Sequence, residues 1–324
     1  MSDLAQDFVF LFGAGEPRIF AKPRQPIRVF TEDCFSGRLT SSDGKPREVA
    51  PFPRVNPLTG PIAVEGARRG DVLAIHLKHL RPARNWGVAT VSPNFGALSG
   101  TRLNPNLQPE LDEKVWIWHV DEPAGLVTTT TGNGQQLRAP LRPFHGTLGV
   151  APPHGEIRSS VVPDVFGGNL DLPDLRAGAT LYLRCNVDGA LVYVGDGHLA
   201  QGDGELAGTA VEGALETDLV FDICGPADDI EWPRLETDDT LAVIGCARPL
   251  EDAVRIAAAG LVRWVTALTG LQLDDAHQLV SQTCRLRIGN LVNPLYTVAA
   301  TIEKSWLPAP TPVFDDVHRV LRGF

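Results

Sequence analysis

The alternation of apolar and polar positions along the chain predicts a protein built mainly from short strands. Short apolar runs bounded by Gly, Pro, Asn or Asp recur from residue 27 onward, a pattern typical of sandwiches and barrels. They predict strands at 27–30, 62–64, 72–77, 115–120, 126–131, 219–223, 241–245 and 296–302. Residues 85–114 lack clear periodicity and are predicted to form a long loop region.

Two apolar runs in the middle of the chain, Ala179–Val187 and Ala190–Val194, predict a β-hairpin. The dipeptide Asp188-Gly189 between them tolerates the positive φ angles of a tight turn. Glycine-rich loops that carry acidic residues flank this segment, one at 167–171 and one at 195–205. A hairpin would bring these two loops together at one rim.

The pattern changes to a helical one near the C-terminus. Apolar residues recur at steps of three and four between Pro249 and Thr269, and Gly270 lies where a helix would end. A second helix is predicted from Asp274 towards Cys284, and a short helix close to the end of the chain. The predicted class is therefore α+β and β-rich, a β-sandwich or barrel with a helical C-terminal block packed on the sheet. Two subdomains are expected, a β-rich one over 1–140 and a catalytic α+β one over 141–324.

Composition and charge narrow the classes of function. Hydrophobic residues make up 43% and charged residues 21% of the 324 residues, which is ordinary for a globular protein. The net charge of −10 without a basic block argues against nucleic acid or an anionic membrane as the main partner. No apolar run approaches the ~20 residues that span a bilayer. Five widely spaced cysteines fit reduced thiols, so a cytoplasmic protein is expected.

Acidic residues and a histidine concentrate in the two glycine-rich loops. Carboxylates that share a small volume repel one another unless a cation or raised pKa values relieve the repulsion. We predict that Asp171, Asp196 and His198 bind a divalent metal ion, and an imidazole with carboxylates favours zinc. His198 and Glu205 are the predicted catalytic residues. Glu205 would act as the general base that takes a proton from a metal-activated water and passes it to the leaving group.

Polar neighbours of these acids complete the predicted site, and simpler interpretations exist for several residues. Asn169 and Gln201 are predicted to bind the substrate or a water on the metal. An Asp beside a Gly often only caps a turn, which is the preferred interpretation of Asp203. Gly195-x-Gly197-x-x-Ala200 formally fits a dinucleotide fingerprint, but further glycines and acids downstream argue against helix formation and pyrophosphate binding. A non-catalytic β protein whose acidic loops hold calcium is a further alternative.

Several motifs together resemble the acetamidase/formamidase family of metal-containing amidohydrolases. They lie between residues 27 and 305, and the most specific are GGNLD at 167–171 and VGDGHLAQGDGELAGTAVE at 194–212. The resemblance implies a β-rich fold, a homo-oligomeric cytoplasmic enzyme, and hydrolysis of a small aliphatic amide such as formamide or acetamide. By position, Asp171, Asp196 and His198 match the acidic and histidine positions of the motif, and Glu205 matches its terminal glutamate.

The chain also departs from the family motif beside the predicted site. Phe166 stands where a His commonly precedes GGN, and Leu172-Pro173 replaces the usual Asn-Lys. These differences leave open a different hydrolase or lyase reaction on another small substrate. His145, His154 and Glu156 lie in Pro/Gly-rich segments from which they could reach the site as ligands or proton shuttles.

Overall fold

The computed structural model describes residues 8–99, 111–227 and 229–324. Its strands, numbered in chain order, are β1 Leu11–Phe12, β2 Ile19–Ala21, β3 Ile27–Thr31, β4 Leu58–Val64, β5 Asp71–Pro82, β6 Trp86–Val91, β7 Lys114–Asp121, β8 Leu126–Thr130, β9 Gln136–Pro140, β10 Phe144–Val150, β11 Arg158–Ser159, β12 Gly167–Asn169, β13 Thr180–Arg184, β14 Val192–Ala200, β15 Val211–Glu212, β16 Leu215–Pro226, β17 Arg234–Glu236, β18 Thr240–Ala247, β19 Arg285–Asn290 and β20 Tyr296–Glu303. The helices are α1 Pro46–Val49, α2 Leu250–Thr269, α3 Leu273–Thr283 and α4 Val317–Arg322.

Two large sheets form the framework. The ten-stranded sheet has the order β12-β10-β14-β15-β6-β7-β8-β9, with β4 paired to β14 and β2 paired in parallel to β4. The eight-stranded sheet has the order β19-β20-β18-β17-β13-β5-β16-β3 and is antiparallel throughout. Strands β1 and β11 form a separate two-stranded pair.

The main core lies between the two large sheets, which makes the molecule a β-sandwich. Strand β5 shows why, because its side chains alternate between two apolar layers. Leu73, Ile75 and Leu77 pack into the core shared with the ten-stranded sheet. Val72 and Ala74 point to the opposite face and pack against the C-terminal helices. The eight-stranded sheet is therefore buried on both sides, and the predicted β-rich sandwich with a helical block packed on the sheet is confirmed.

The helical block covers the outer face of the eight-stranded sheet. On α2, buried residues at steps of three and four form one apolar stripe, which comprises Ala253, Ala257, Leu261, Val265 and Leu268. Gly270 ends the helix in the left-handed conformation with φ 70°, as predicted. No single helix in the described ranges is long and apolar enough to cross a membrane; by length and composition, only α2 and α3 taken together, bent by 119°, would qualify.

Two predictions about local structure are wrong. The runs at 179–187 and 190–194 do not form a hairpin, because β13 pairs with β5 and β17 in one sheet and β14 pairs with β10, β4 and β15 in the other. The chain turns between the sheets at Gly189, Ala190 and Leu191, which all have positive φ angles. The predicted loop at 85–114 contains strand β6 and the start of β7, and its residues 100–110 lie outside the described ranges. Both sheets contain strands from each side of residue 140, and the predicted subdomain boundary there stays a prediction.

Candidate active site

Strand β10 brings the two acidic loops together. It lies between β12 and β14, and Thr147 is paired with Asn169 on one side and with Gly195 on the other. Asp171 lies two residues after the end of β12, and Asp196 lies within β14. The predicted convergence of the two loops is therefore real, but a central strand produces it rather than a hairpin.

A glycine on β10 gives the site its space. A Cβ atom added at Gly146 would lie 2.6 Å from Asp196 Oδ2, 2.7 Å from Asp171 Oδ1 and 2.8 Å from His198 Cε1. These distances are shorter than any ordinary van der Waals contact, so a side chain at Gly146 would displace the groups that surround it. The three predicted metal ligands thus meet around one backbone position.

The backbone at the acidic residues adopts an uncommon conformation. Asp171, Asp196 and Glu205 have φ angles of 46°, 55° and 49°, in the left-handed region that favours glycine. Such residues cluster at functional sites because the surrounding structure must hold them there. The three carboxylates are also buried, with relative exposures of 6% or less.

Ligand-type atoms form two adjoining groups in this interior. Within each group they lie within 4.8 Å of one another: Asp171, His198 and Glu205 in one, and Cys34, Asp196 and Glu212 in the other. His198 joins the two groups, since its Nε2 lies 3.5 Å from Asp196 Oδ2 and 3.3 Å from Glu212 Oε2.

Gln201 fixes the orientation of the His198 ring. Its Nε2 donates hydrogen bonds to the carbonyl oxygens of Asp171 and Gly289, at 2.8 and 3.0 Å, which identifies the other amide atom as oxygen. That Oε1 lies 2.9 Å from His198 Nδ1, so the ring nitrogen on this side is the hydrogen-bond donor. In a neutral ring, Nε2 then carries the lone pair and directs it at Asp196 and Glu212.

Amide and hydroxyl groups hold the carboxylates in place. Asn56 Nδ2 donates to Asp196 Oδ2 at 2.7 Å, and Thr147 Oγ1 lies 3.1 Å from the same oxygen. Asn293 Nδ2 donates to Asp171 Oδ2 and also to the carbonyl oxygen of Asn169. Within the described residues, the other oxygens of Asp171 and Asp196 are buried and have no hydrogen-bond partner. Each carboxylate is thus fixed through one oxygen and directs a second, unsatisfied oxygen into the interior.

The site favours positive charge. Burial, together with the charge of Glu205, raises the pKa of Asp171 well above its ordinary value. Burial raises the pKa of Glu205 to about 8, and Glu212 and Asp196 reinforce this shift while His198 opposes it. Burial disfavours the charged form of His198, but Glu212 and Asp196 outweigh burial and raise the pKa of the imidazole. Protons or a cation must therefore balance these buried carboxylates.

The donor set fits a divalent cation. An imidazole nitrogen with carboxylate oxygens suits zinc, and a thiol adjoins them. Two ligand atoms on one tetrahedral cation with bonds of about 2.1 Å lie about 3.4 Å apart. The distances of 3.3 and 3.5 Å from His198 Nε2 match this spacing, and the unsatisfied oxygens of Asp171 and Asp196 supply further donors.

The more distant candidates have other environments. His145 is buried and its ring bonds to the Gly195 carbonyl at 3.1 Å and to Thr217 Oγ1 at 2.8 Å, so both nitrogens are engaged in structural hydrogen bonds. His154 and Glu156 are exposed, and Glu156 forms an ion pair with Arg158. Asp203 is also exposed and pairs with Arg287 at 2.9 Å.

Two of the three residues that depart from the family motif lie in the hydrophobic core, whereas Pro173 is only partly buried. Phe166 and Leu172 are fully buried among apolar side chains, and the Phe166 ring packs on Phe12. Their side chains are not among those that line the cavity above the acids.

Sequence reasoning missed several residues of the site. Glu212 is the most important, because strand pairing places it directly opposite His198. It is the last residue of the motif at 194–212, and membership of that motif was the only feature of the sequence that could have identified it as a site residue. Asn56 opens the motif NPLTGPIAVEGARRGDVLAIHL at 56–77, whereas Cys34 and Asn293 come from distant parts of the chain and carry no recognisable local pattern.

A cavity of about 700 Å³ opens above the acidic cluster. Its base contains Asn169, Asp196, Glu205 and Glu212, and its walls are mainly apolar. Pockets of about 300–1,000 Å³ with apolar walls and a few polar groups are typical small-molecule sites. The cluster is therefore both buried in the fold and accessible to a ligand from one side.

Comparison with known proteins gives a consistent result. Residues 16–161 and 155–231 match the model of the Acetamidase/Formamidase family. An acetamidase of Mycolicibacterium smegmatis is 24% identical over 240 residues, which cover 57% of this chain and 57% of the relative. The match thus spans little more than half the length of that curated relative.

Two solved structures are similar over nearly their whole length. The acetamidase from Yersinia enterocolitica is 37% identical with a TM-score of 0.84, covering 93% of this chain and 90% of that one. The acetamidase from Bacillus halodurans is 33% identical with a TM-score of 0.82, covering 92% and 96%.

Proposed function

We propose that this chain, which belongs to the acetamidase/formamidase family, hydrolyses the C–N bond of an uncharged carboxamide to a carboxylate and ammonia. The observation that carries the proposal is the contact of His198 with Asp196 and Glu212, two buried carboxylates that line the base of an apolar-walled cavity. Amides are weak electrophiles with poor leaving groups, so their hydrolysis needs an activated water and a proton donor. The cluster offers groups suited to both tasks.

We further propose that the site works with a divalent metal ion, zinc being favoured by the donor atoms and calcium being the alternative. Asp171, Asp196 and His198, which meet around Gly146, would hold it, and Glu212 lies opposite His198 on the paired strand. Such an ion, when bound, polarises the amide carbonyl and lowers the pKa of water. The unsatisfied oxygens of the two aspartates and the spacing around His198 Nε2 support this assignment.

Glu205 is the proposed general base. It lines the cavity, within 4.8 Å of ligand atoms of Asp171 and His198. In the proposed reaction, the oxygen of water bonds to the amide carbon and Glu205 takes one proton from that water. Glu205 then gives this proton to the nitrogen as the C–N bond breaks, which yields ammonia and the carboxylic acid. The same position makes Glu205 an additional candidate ligand.

Asn169 and Gln201 complete the proposed roles. Asn169 lines the cavity, and its Oδ1 accepts hydrogen bonds from Thr147 and Asn56. Its Nδ2 is therefore the proposed donor to the substrate carbonyl oxygen. Gln201 holds His198 through its Oε1 and two backbone carbonyls through its Nε2, so we propose a positioning role for it. Contact between Gln201 and the substrate stays a prediction.

The proposal is tested by metal analysis together with ammonia release from a panel of small amides. We expect zinc in a fixed ratio to protein, loss of ammonia release after chelation, and recovery when zinc is returned. His198→Ala should abolish turnover while the fold is retained by circular dichroism; exposed His154→Ala serves as the control. Zinc without hydrolysis of any amide would favour a different hydrolase or a lyase, and calcium without activity would favour a structural role.

Assembly is proposed on the family resemblance, and location and partners on the resemblance together with the charge and the cysteine usage. We propose a homo-oligomer in the cytoplasm, without nucleic acid or membrane partners. Light scattering on the purified protein and fractionation of cells test these two statements separately.

A further inference from the structure

The cavity above the acidic cluster points to the chemical class of the substrate. We infer that the preferred amide is neutral and carries an apolar group of about the size of a phenyl ring or a branched alkyl chain. This inference rests on the proposed function and replaces the predicted formamide- or acetamide-like substrate with a larger one.

The cavity separates polar from apolar surface in the way that such a substrate requires. Its base presents the carboxylates and Asn169, where the amide would react. Its walls present mostly apolar side chains, among them Phe35, Val55, Phe95, Val161, Val292 and Pro294. An apolar wall this close to the reacting group stabilises an apolar substituent by removing it from water.

Phe95 is fixed beside the proposed base. A Cβ atom at Gly208 would lie 2.5 Å from the Phe95 ring, so the ring is seated directly against that glycine. Gly208 is linked to Glu205 by a backbone hydrogen bond of 2.8 Å. The loop that carries the base therefore also positions the aromatic wall, and Phe95 remains 46% exposed.

Phe35 forms a second preorganised part of the wall. It follows Cys34, whose thiol lies in the same group as Asp196 and Glu212. The carboxylate of Asp33 accepts hydrogen bonds from the backbone N–H groups of Phe35 and Gly37, both at 2.9 Å, which fixes this turn. Because the ring is only 7% exposed, its position is set by the fold before any ligand enters.

The volume favours a substituent larger than a methyl group. The cavity of about 700 Å³ compares with about 10–15 Å³ of the same kind of volume needed to hold one water molecule, and acetamide is only a few times the size of water. A substrate that small would leave the aromatic walls in contact with water. A phenyl or branched alkyl group would instead contact them.

The cavity carries three carboxylates at its base and two arginines among its other lining residues. Arg47 and Arg248 line it, but both are exposed, and each donates to a backbone carbonyl, that of Pro93 and that of Asn293. The Arg248 guanidinium also stacks on Tyr296, with its centre 4.3 Å from that of the ring. Because Asp196, Glu205 and Glu212 at the base disfavour an anion beside the reacting amide, we assign a neutral substituent rather than a carboxylate to the substrate.

The test is a comparison of kcat/KM for formamide, acetamide, isobutyramide, phenylacetamide and 4-carbamoylbenzoate with the metal-replete enzyme. We expect phenylacetamide or isobutyramide to exceed acetamide by at least about tenfold, the discrimination that a hydrophobic pocket provides per contact group. Highest kcat/KM for formamide or acetamide would overturn the inference and leave the proposed function intact. Preference for the carboxylated amide would overturn the assignment of a neutral group. Hydrolysis of none of them would overturn the proposed function itself.

Variants of exposed residues that line the cavity test whether its wall causes the preference for an apolar substituent. Phe95→Ala should lower kcat/KM for phenylacetamide at least about fivefold and change that for acetamide by less than about twofold. Phe52→Ala, at a lining residue that is 74% exposed, provides a second variant with little risk to folding. Phe20→Ala is the matched control, because Phe20 is 75% exposed and is not among the lining residues. Equal loss for both substrates in Phe95→Ala would contradict the assignment.

Discussion

His198 and Glu212 face each other on paired strands, with Nε2 and Oε2 3.3 Å apart in the interior. Since Gln201 holds the opposite ring nitrogen as a donor, this contact is favourable only when a proton or a cation lies on the Nε2 side. Glu212→Gln removes a charge at this point, and we expect zinc affinity to fall about 10–100-fold, as for other groups that support a metal ligand. Metal content after dialysis against a competing chelator measures this.

The control for Glu212 is Glu216→Gln. Glu216 is 41% exposed and pairs with Arg81 at the surface, so its loss should leave metal content unchanged. Unaltered zinc affinity in Glu212→Gln would remove this residue from the proposed metal site.

Gln201 provides a prediction about ring orientation. Gln201→Ala removes the acceptor for His198 Nδ1 and frees the carbonyls of Asp171 and Gly289. We expect kcat to fall about 10–100-fold with the fold retained, because a misoriented imidazole no longer directs Nε2 into the cluster. Steady-state kinetics and circular dichroism check this, with Gln136→Ala on the exposed edge strand as control. If KM rises while kcat is unchanged, Gln201 binds the substrate, as predicted from the sequence, and does not act by positioning His198.

Gly146 provides a steric prediction. Gly146→Ala would place a Cβ within 2.6–2.8 Å of three groups of the site. We expect loss of zinc binding and of activity, since the carboxylates and His198 must move apart. Gly132→Ala is the control, because a Cβ there meets nothing within 4 Å. A Gly146→Ala protein that still binds zinc in full would show that the metal lies elsewhere.

A buried histidine outside the site makes stability depend on pH. Burial, reinforced by His318, lowers the pKa of His76 to about 4, and its Nδ1 lies 2.9 Å from Thr180 Oγ1. His76 therefore binds a proton below pH 6.5 in the unfolded chain but only below about pH 4 in the folded chain. The free energy of unfolding is not reduced by this group above pH 6.5. It decreases as the pH falls towards 4, and the decrease is about 2 kcal/mol at pH 5.

Urea unfolding at pH 7.5 and pH 5 measures this contribution. His76→Gln, which keeps a polar group but does not titrate here, should show a smaller loss of unfolding free energy between the two values. An equal loss in both proteins would mean that His76 does not cause the pH dependence.

Much of the local structure could be predicted from the sequence, because it depends on local periodicity. The apolar steps on α2 and the stop at Gly270 predicted a helix that the structure reproduces within one residue. The strands near 72–77 and 296–302 were likewise correct in place and type.

Strand pairing could not be predicted. The turn at Asp188-Gly189 was expected to close a hairpin, whereas the left-handed backbone at Ala190 and Leu191 leads the chain into the other sheet. The runs on both sides of the turn are buried, so their composition does not reveal which sheet each joins. Glu212 was missed for the same reason, because only its pairing with His198 places it in the site.

The left-handed backbone at Asp171, Asp196 and Glu205 has a consequence for the evolution of this protein. Each such residue costs on the order of 1 kcal/mol or more, and glutamate tolerates the conformation less readily than aspartate does. Glycine at these positions would relax the backbone and remove a buried charge. Random selection for heat resistance in this scaffold would therefore favour substitutions at these three residues, and the proposed chemistry would be lost as thermal stability increases.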